Sequence, residues 1–141
     1  MSKIDRYFYR FDSSKWGSNV HLGDDRNELL VLGLIEECEG EKENDYHGSN
    51  GNPWRIGFFN DQVSNIWYNR ENSFQIQGKE IMGEEFNSIK RTIENNFENL
   101  NESIKDAKEM NHYKESDVLY IICRDFYVAL IAIIRPIPKV Q

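Results

Sequence analysis

Nine apolar residues between Met82 and Met110 recur at helical spacing, and this pattern limits the fold of the chain more than any other. They are Met82, Phe86, Ile89, Ile93, Phe97, Leu100, Ile104, Ala107 and Met110, separated by three or four residues each time. An α-helix turns once per about 3.6 residues, so these steps put all nine on one side. Neither Gly nor Pro interrupts residues 84–110. Glu84 and Glu85 would stand at the N-terminal end, where the helix dipole favours anions, and Lys105 and Lys108 near the other end. The spacing predicts a single amphipathic helix over 84–110, buried along its stripe.

The opposite side of that helix would carry Glu94, Glu98, Glu102 and Asp106 at intervals of four residues. At a rise of about 1.5 Å per residue they form a row about 18 Å long. Like charges at this spacing cost roughly 0.2–0.5 kcal/mol per pair. Lys90 and Arg91 can relieve Glu94 and Lys105 can relieve Glu102, whereas Glu98 has no basic residue within one turn. A local stability optimum would place a Lys there, so the row reads as a ridge for a basic partner as well as a solvated face.

The rest of the chain reads mainly as strands. Ile4 to Phe11 is aromatic with interspersed charges and ends at a turn signal, Asp12-Ser13-Ser14. A helix capped by Asp24 or Asp25 is expected to run through Ile35 to Gly40, although Val31 and Gly33 leave a strand open. Residues 36–53 turn acidic and then rich in Gly, Asn and Ser, which predicts a mobile surface loop. Trp54 to Phe59, Val63 to Tyr68 and Phe74 to Gln77 follow as a three-stranded antiparallel meander, joined by short polar turns. Val118 to Cys123 and Phe126 to Ile134 are β-branched, apolar runs separated by Arg124-Asp125, which read as a tight hairpin or as one long bulged strand, central enough to be buried on both faces. The expected architecture is a single α+β domain over 1–141: a mostly antiparallel sheet of about five or six strands with the long amphipathic helix packed on one face.

Charge narrows the partners. The net charge is −7, with 29% charged residues. Residues 36–52 hold six acidic groups and one Lys, giving −5, and residues 83–110 hold seven acidic and four basic groups, giving −3. The remainder comes close to balance, so the whole excess lies in those two segments. Such a distribution disfavours binding to nucleic acid or anionic membrane and favours a basic protein. Aromatic side chains on the meander, Trp54, Phe58, Trp67 and Phe74, could stack on bases, but that segment carries no basic excess. Two distant cysteines, no apolar leader and no apolar run near the roughly 20 residues needed to span a bilayer suit a cytoplasmic protein.

No motif for chemistry stands in the sequence. His21, His47 and His112 have no partners at zinc-site spacing, and a Cys38–His47 nucleophilic pair would depend on an unsupported loop. The acidic run 36–45 lacks the alternation and closing Glu of a calcium loop. GSNGNP has no Lys and no following helix, so it is no phosphate loop. No catalytic residue, cofactor or metal is therefore expected.

Three functions remain, the last of them a homo-oligomeric structural protein that would use its exposed strand edge. The first is a non-enzymatic cytosolic inhibitor or immunity-type protein that binds a basic toxin or nuclease. Glu94, Glu98, Glu102 and Asp106 would form its ridge and Glu39, Glu41, Glu43 and Asp45 its adaptable edge. The second is a small-molecule binder or enzyme, with a pocket between sheet and helix lined by Trp54, Trp67, Tyr68 and Tyr127 and served by Arg55 or Arg124.

Overall fold

The computed structural model describes residues 2–12, 19–38, 45–100 and 117–135. In chain order its elements are β1 (Ile4–Phe11), α1 (Arg26–Val31), β2 (Ile35–Glu37), β3 (Tyr46–Gly48), β4 (Arg55–Phe59) and β5 (Gln62–Tyr68). They continue with β6 (Gln75–Ile76), β7 (Lys79–Glu80), α2 (Phe86–Asn96), β8 (Glu98–Asn99), β9 (Asp117–Arg124) and β10 (Tyr127–Ile134). Eight strands form one sheet in the order β2-β3-β4-β5-β10-β9-β1-β8, and every pairing in it is antiparallel. β6 and β7 make a separate two-stranded hairpin.

Strands β9 and β10 lie at the centre of the sheet, as their β-branched composition requires of strands covered by neighbours on both sides. Asp125 and Phe126 turn the chain between them, both at positive φ. Asn60 and Asp61 do the same between β4 and β5. Two consecutive left-handed residues match the right-handed twist of the strands they join.

Alternation then sorts the side chains. Tyr9 pairs with Leu119 and Tyr7 with Ile121, so these residues share one face with Ile131 and Ile133 of β10 and Ile66 of β5. That face holds the main core, which continues into Phe86, Ile89 and Ile93 of α2 and Phe74, Ile76 and Ile81 around the small hairpin. Tyr7 stacks on Phe86 with ring centroids 3.8 Å apart. Phe8, Leu100 and Val118 make a smaller cluster that Tyr120 and Ile134 flank.

The single long helix expected over 84–110 is not present, and the sheet has eight strands rather than five or six. The α2 helix has 11 residues, and Phe97 caps it in extended geometry at φ −133 and ψ 147. Asn95, Asn96, Asn99 and Asn101 crowd this point, and Asn is a weak helix former. The free edge of β1 supplies the alternative. Glu98 and Asn99 pair with Arg10 and Tyr9, and Leu100 N–H donates to the Phe8 carbonyl at 2.9 Å. Phe97 packs on Phe11 in the main core while Leu100 joins the smaller cluster, so the stripe read as continuous divides here. Ile104, Ala107 and Met110 lie outside the described residues.

Three shorter expectations change as well. The first helix stops at Val31, because Gly33 at φ +70 reverses the chain into β2. Asp25 caps its start, accepting from Glu28 N–H at 3.0 Å. The segment 36–53 is not one irregular loop, since β2 and β3 form a hairpin with Glu36 opposite His47 and Glu37 opposite Tyr46. The third meander strand is instead the β6–β7 hairpin, and β10 takes the place beside β5.

Candidate functional site

The carboxylate row does not lie along one helix. Glu94 is exposed on α2, 3.9 Å from Lys90, whereas Glu98 belongs to β8. Arg10, distant in sequence, donates from Nε to the Glu98 carboxylate at 3.1 Å. The relief that no neighbour on a helix could give Glu98 thus comes from across the sheet. Glu102 and Asp106 lie outside the described residues, as do Glu39, Glu41 and Glu43.

The second acidic segment has a defined frame. Cys38 N–H donates to the Asp45 carbonyl at 2.7 Å, which continues the β2–β3 pairing toward the hairpin tip. Among the described residues β2 is the outermost strand, so one side of its backbone has no neighbour there. Glu36 and Glu37 are exposed there, and neither carboxylate meets a basic group among the described residues. The turn leading into β2 is apolar and exposed: Val31 is 86% accessible and Leu32 65%, with Leu30 beside them. An apolar knuckle is thus joined to an acidic edge. The run Leu29-Leu30-Val31-Leu32 signalled it, since four consecutive apolar residues exceed one face of a short helix.

The six residues expected to line a pocket are not brought together. Tyr68 points to the core side of the sheet with Ile66. Trp67 and its opposite residue Arg55 occupy the other face, where the Arg55 guanidinium lies 4.7 Å from the Trp54 ring centroid. Trp67 Nε1–H donates to Asn65 Oδ1 at 2.8 Å. Arg124 and Tyr127 oppose each other at the β9–β10 turn, and both are exposed. Period-two alternation separates Trp67 from Tyr68, and strand length separates both from Tyr127.

A cleft of about 820 Å³ lies elsewhere, lined mainly by loops and the β6–β7 hairpin. Its floor includes Tyr68 at the end of β5, Ile76 of β6 and Phe97 after α2. Its walls come from the loop between β3 and β4, which carries Asn50 and Asn52, and from the small hairpin, which carries Gln75 and Gln77. Glu80 holds that hairpin: its carboxylate accepts from Ser73 Oγ at 2.6 Å and from Phe74 N–H at 2.9 Å. Asn72 Nδ2–H donates to the Gly51 carbonyl at 2.7 Å and ties the two walls together. The alternation of Phe74, Gln75, Ile76 and Gln77 was readable, but which loop faced the two amides was not.

Chemistry-bearing groups are dispersed. Among the described residues no three of His, Cys, Asp and Glu surround a common point. His21 contacts Asp24, while His47 Nδ1 lies 2.6 Å from the Gly48 carbonyl. No helix among the described residues is long and apolar enough to cross a membrane. In comparison with known proteins, no family model, no curated protein and no solved structure matches the chain.

Proposed function

We propose that the chain is a non-enzymatic inhibitor or immunity-type protein that binds a basic protein, a toxin or nuclease, along its acidic sheet edge. The observation that supports this reading is strand β2, outermost among the described residues, with Glu36 and Glu37 unpaired among those residues and next to the exposed Leu30-Val31-Leu32 stretch. An open edge offers backbone donors and acceptors to any extended segment. Carboxylates on that edge oppose pairing with a second copy, because like charges would face each other. A Lys- or Arg-bearing segment meets no such penalty. The residues between Cys38 and Asp45 add Glu39, Glu41 and Glu43 against Lys42, so the field that steers a cation toward the edge is strong. The apolar turn would hold what the charges attract, with roughly 25 cal/mol for each Å² of apolar surface buried.

The test begins with affinity capture from the native cell at low and high salt, and continues with kinetics on the captured basic protein. Glu36→Lys combined with Glu37→Lys should slow association at least tenfold at low salt, and the difference should shrink as salt rises. Val31→Asp should chiefly speed dissociation. An association rate that ignores the double reversal would exclude the edge as the contact.

A further inference from the structure

We infer that the cleft between the β6–β7 hairpin and the β3–β4 loop binds an uncharged, hydroxyl-rich ligand of oligosaccharide size. The cleft reaches Gly33 and Leu34 just before β2, but its lining does not include the edge carboxylates and the inference does not rest on the protein-binding reading.

Among the described residues the lining carries no Asp, Glu, Lys, Arg or His, in a chain with 29% charged residues. An ionic ligand entering this space would lose water without meeting a counter-charge, which is costly. The polar groups present are amides. Asn50, Asn52, Gln75 and Gln77 are exposed, and their side chains make no hydrogen bond to the rest of the described chain. Each amide offers two donors and an acceptor at fixed separation, the complement of a hydroxyl that both gives and takes a hydrogen bond. Between them the floor of Ile76 and Phe97 is apolar, as the C–H face of a sugar ring requires.

Size and rigidity agree. A volume of about 820 Å³ lies inside the usual range for ligand clefts, roughly 300–1,000 Å³. The walls are set before any ligand arrives, because Glu80 is engaged by Ser73, Phe74 and Met82 N–H and Asn72 bridges to Gly51. Glu80 is the nearest carboxylate in the hairpin, and these bonds keep it out of the lining. With the backbone of both walls already held, binding has only the amide side chains left to order.

Titration of the ¹⁵N-labelled full chain with maltotriose, cellotriose and chitotriose tests the assignment. At least one of the three should give saturable shifts in the side-chain amides of Asn50, Asn52, Gln75 and Gln77. Asn52→Ala with Gln75→Ala should weaken that trisaccharide at least fivefold while the remaining spectrum and the melting temperature stay unchanged. Glu36→Lys with Glu37→Lys should leave the titration as it was. Absence of saturable shifts with all three sugars overturns the proposal, and so do equal shifts from an anionic sugar acid of the same size, or shifts centred elsewhere.

Discussion

Arg135 closes the open end of the central hairpin on Asp117, donating from Nε at 2.9 Å and from Nη2 at 3.2 Å to its two carboxylate oxygens. Asp117 begins β9 and Arg135 follows β10, so this fork holds the two central strands in register where no turn joins them. Arg135 N–H also donates to the Ser64 carbonyl at 2.8 Å and extends the tie to β5. Asp117→Asn keeps the shape but removes the charge. With Arg135 42% exposed, solvent screens part of the interaction, and the expected loss is about 1–2 kcal/mol. Urea denaturation of the variant measures it directly, and a loss below a few tenths would mean the fork is incidental.

Tyr9 offers the opposite sign. It is fully buried and its hydroxyl has no hydrogen-bond partner among the described residues. Burial foremost, and the Glu94 charge after it, push its pKa far above the ordinary 10.0. An orphaned buried hydroxyl costs about 1–3 kcal/mol, so Tyr9→Phe should leave the protein as stable as the parent or more so. The pH profile follows from linkage. Because the folded pKa is raised, the native chain keeps a proton that the unfolded chain releases above about pH 10, and stability falls from there upward. The Phe variant should lose less stability in that range, as calorimetry at graded alkaline pH would read.

The two cysteines, both free thiols, should differ sharply in reactivity. Cys123 is buried on the main core face, and burial first, then the Asp5 charge, raise its pKa from 9.0 to about 11. Cys38 is half-buried just after β2. Only the thiolate attacks a disulfide reagent, so at neutral pH Cys38 should react in the native protein and Cys123 only as it unfolds. The raised value also means that the Cys123 contribution to stability is intact below pH 9.0 and is lost as pH climbs through about 11. Two thiols reacting at one rate in the native state would contradict this burial.

The end of α2 separates core from surface. Ile93 is fully buried, and Ile93→Ala should cost about 2–5 kcal/mol. Five residues on, Glu98→Ala removes only an exposed ion pair with Arg10, for less than about 1 kcal/mol. A double-mutant cycle with Arg10→Ala should give a coupling of the same small size. Coupling absent between these two, and present between Glu98 and Glu94 instead, would mean that the helix continues past Phe97.

How far the sequence can be read follows from where each decision is made. β1 is legible because Ile4–Phe11 is rich in aromatics with charges interspersed, and the central hairpin because two apolar runs flank a two-residue turn. The end of α2 is decided elsewhere, by a free β1 edge that exists only once β9 has paired with its other side. Phe97 and Leu100 satisfy helical spacing and strand placement alike, so periodicity could not choose between them. The cleft was less legible still. Its amides come from two loops far apart in sequence, and no local pattern states that they face one another.

The place of β1 also sets the order in which the chain can become a protein. Its neighbours in the sheet are β8 and β9, and Lys3 N–H reaches Asp125 across 122 residues. On a ribosome the aromatic strand Ile4–Phe11 therefore emerges well ahead of β9 and waits, unpaired by it, until that strand follows. The strands β2 to β5 can meet through short connections, but the sheet is completed only when β9 and β10 arrive between its two halves. Contacts this distant in sequence slow folding, because the loop they close must be ordered before they form. The same order leaves a chaperone one sticky, early segment to shield.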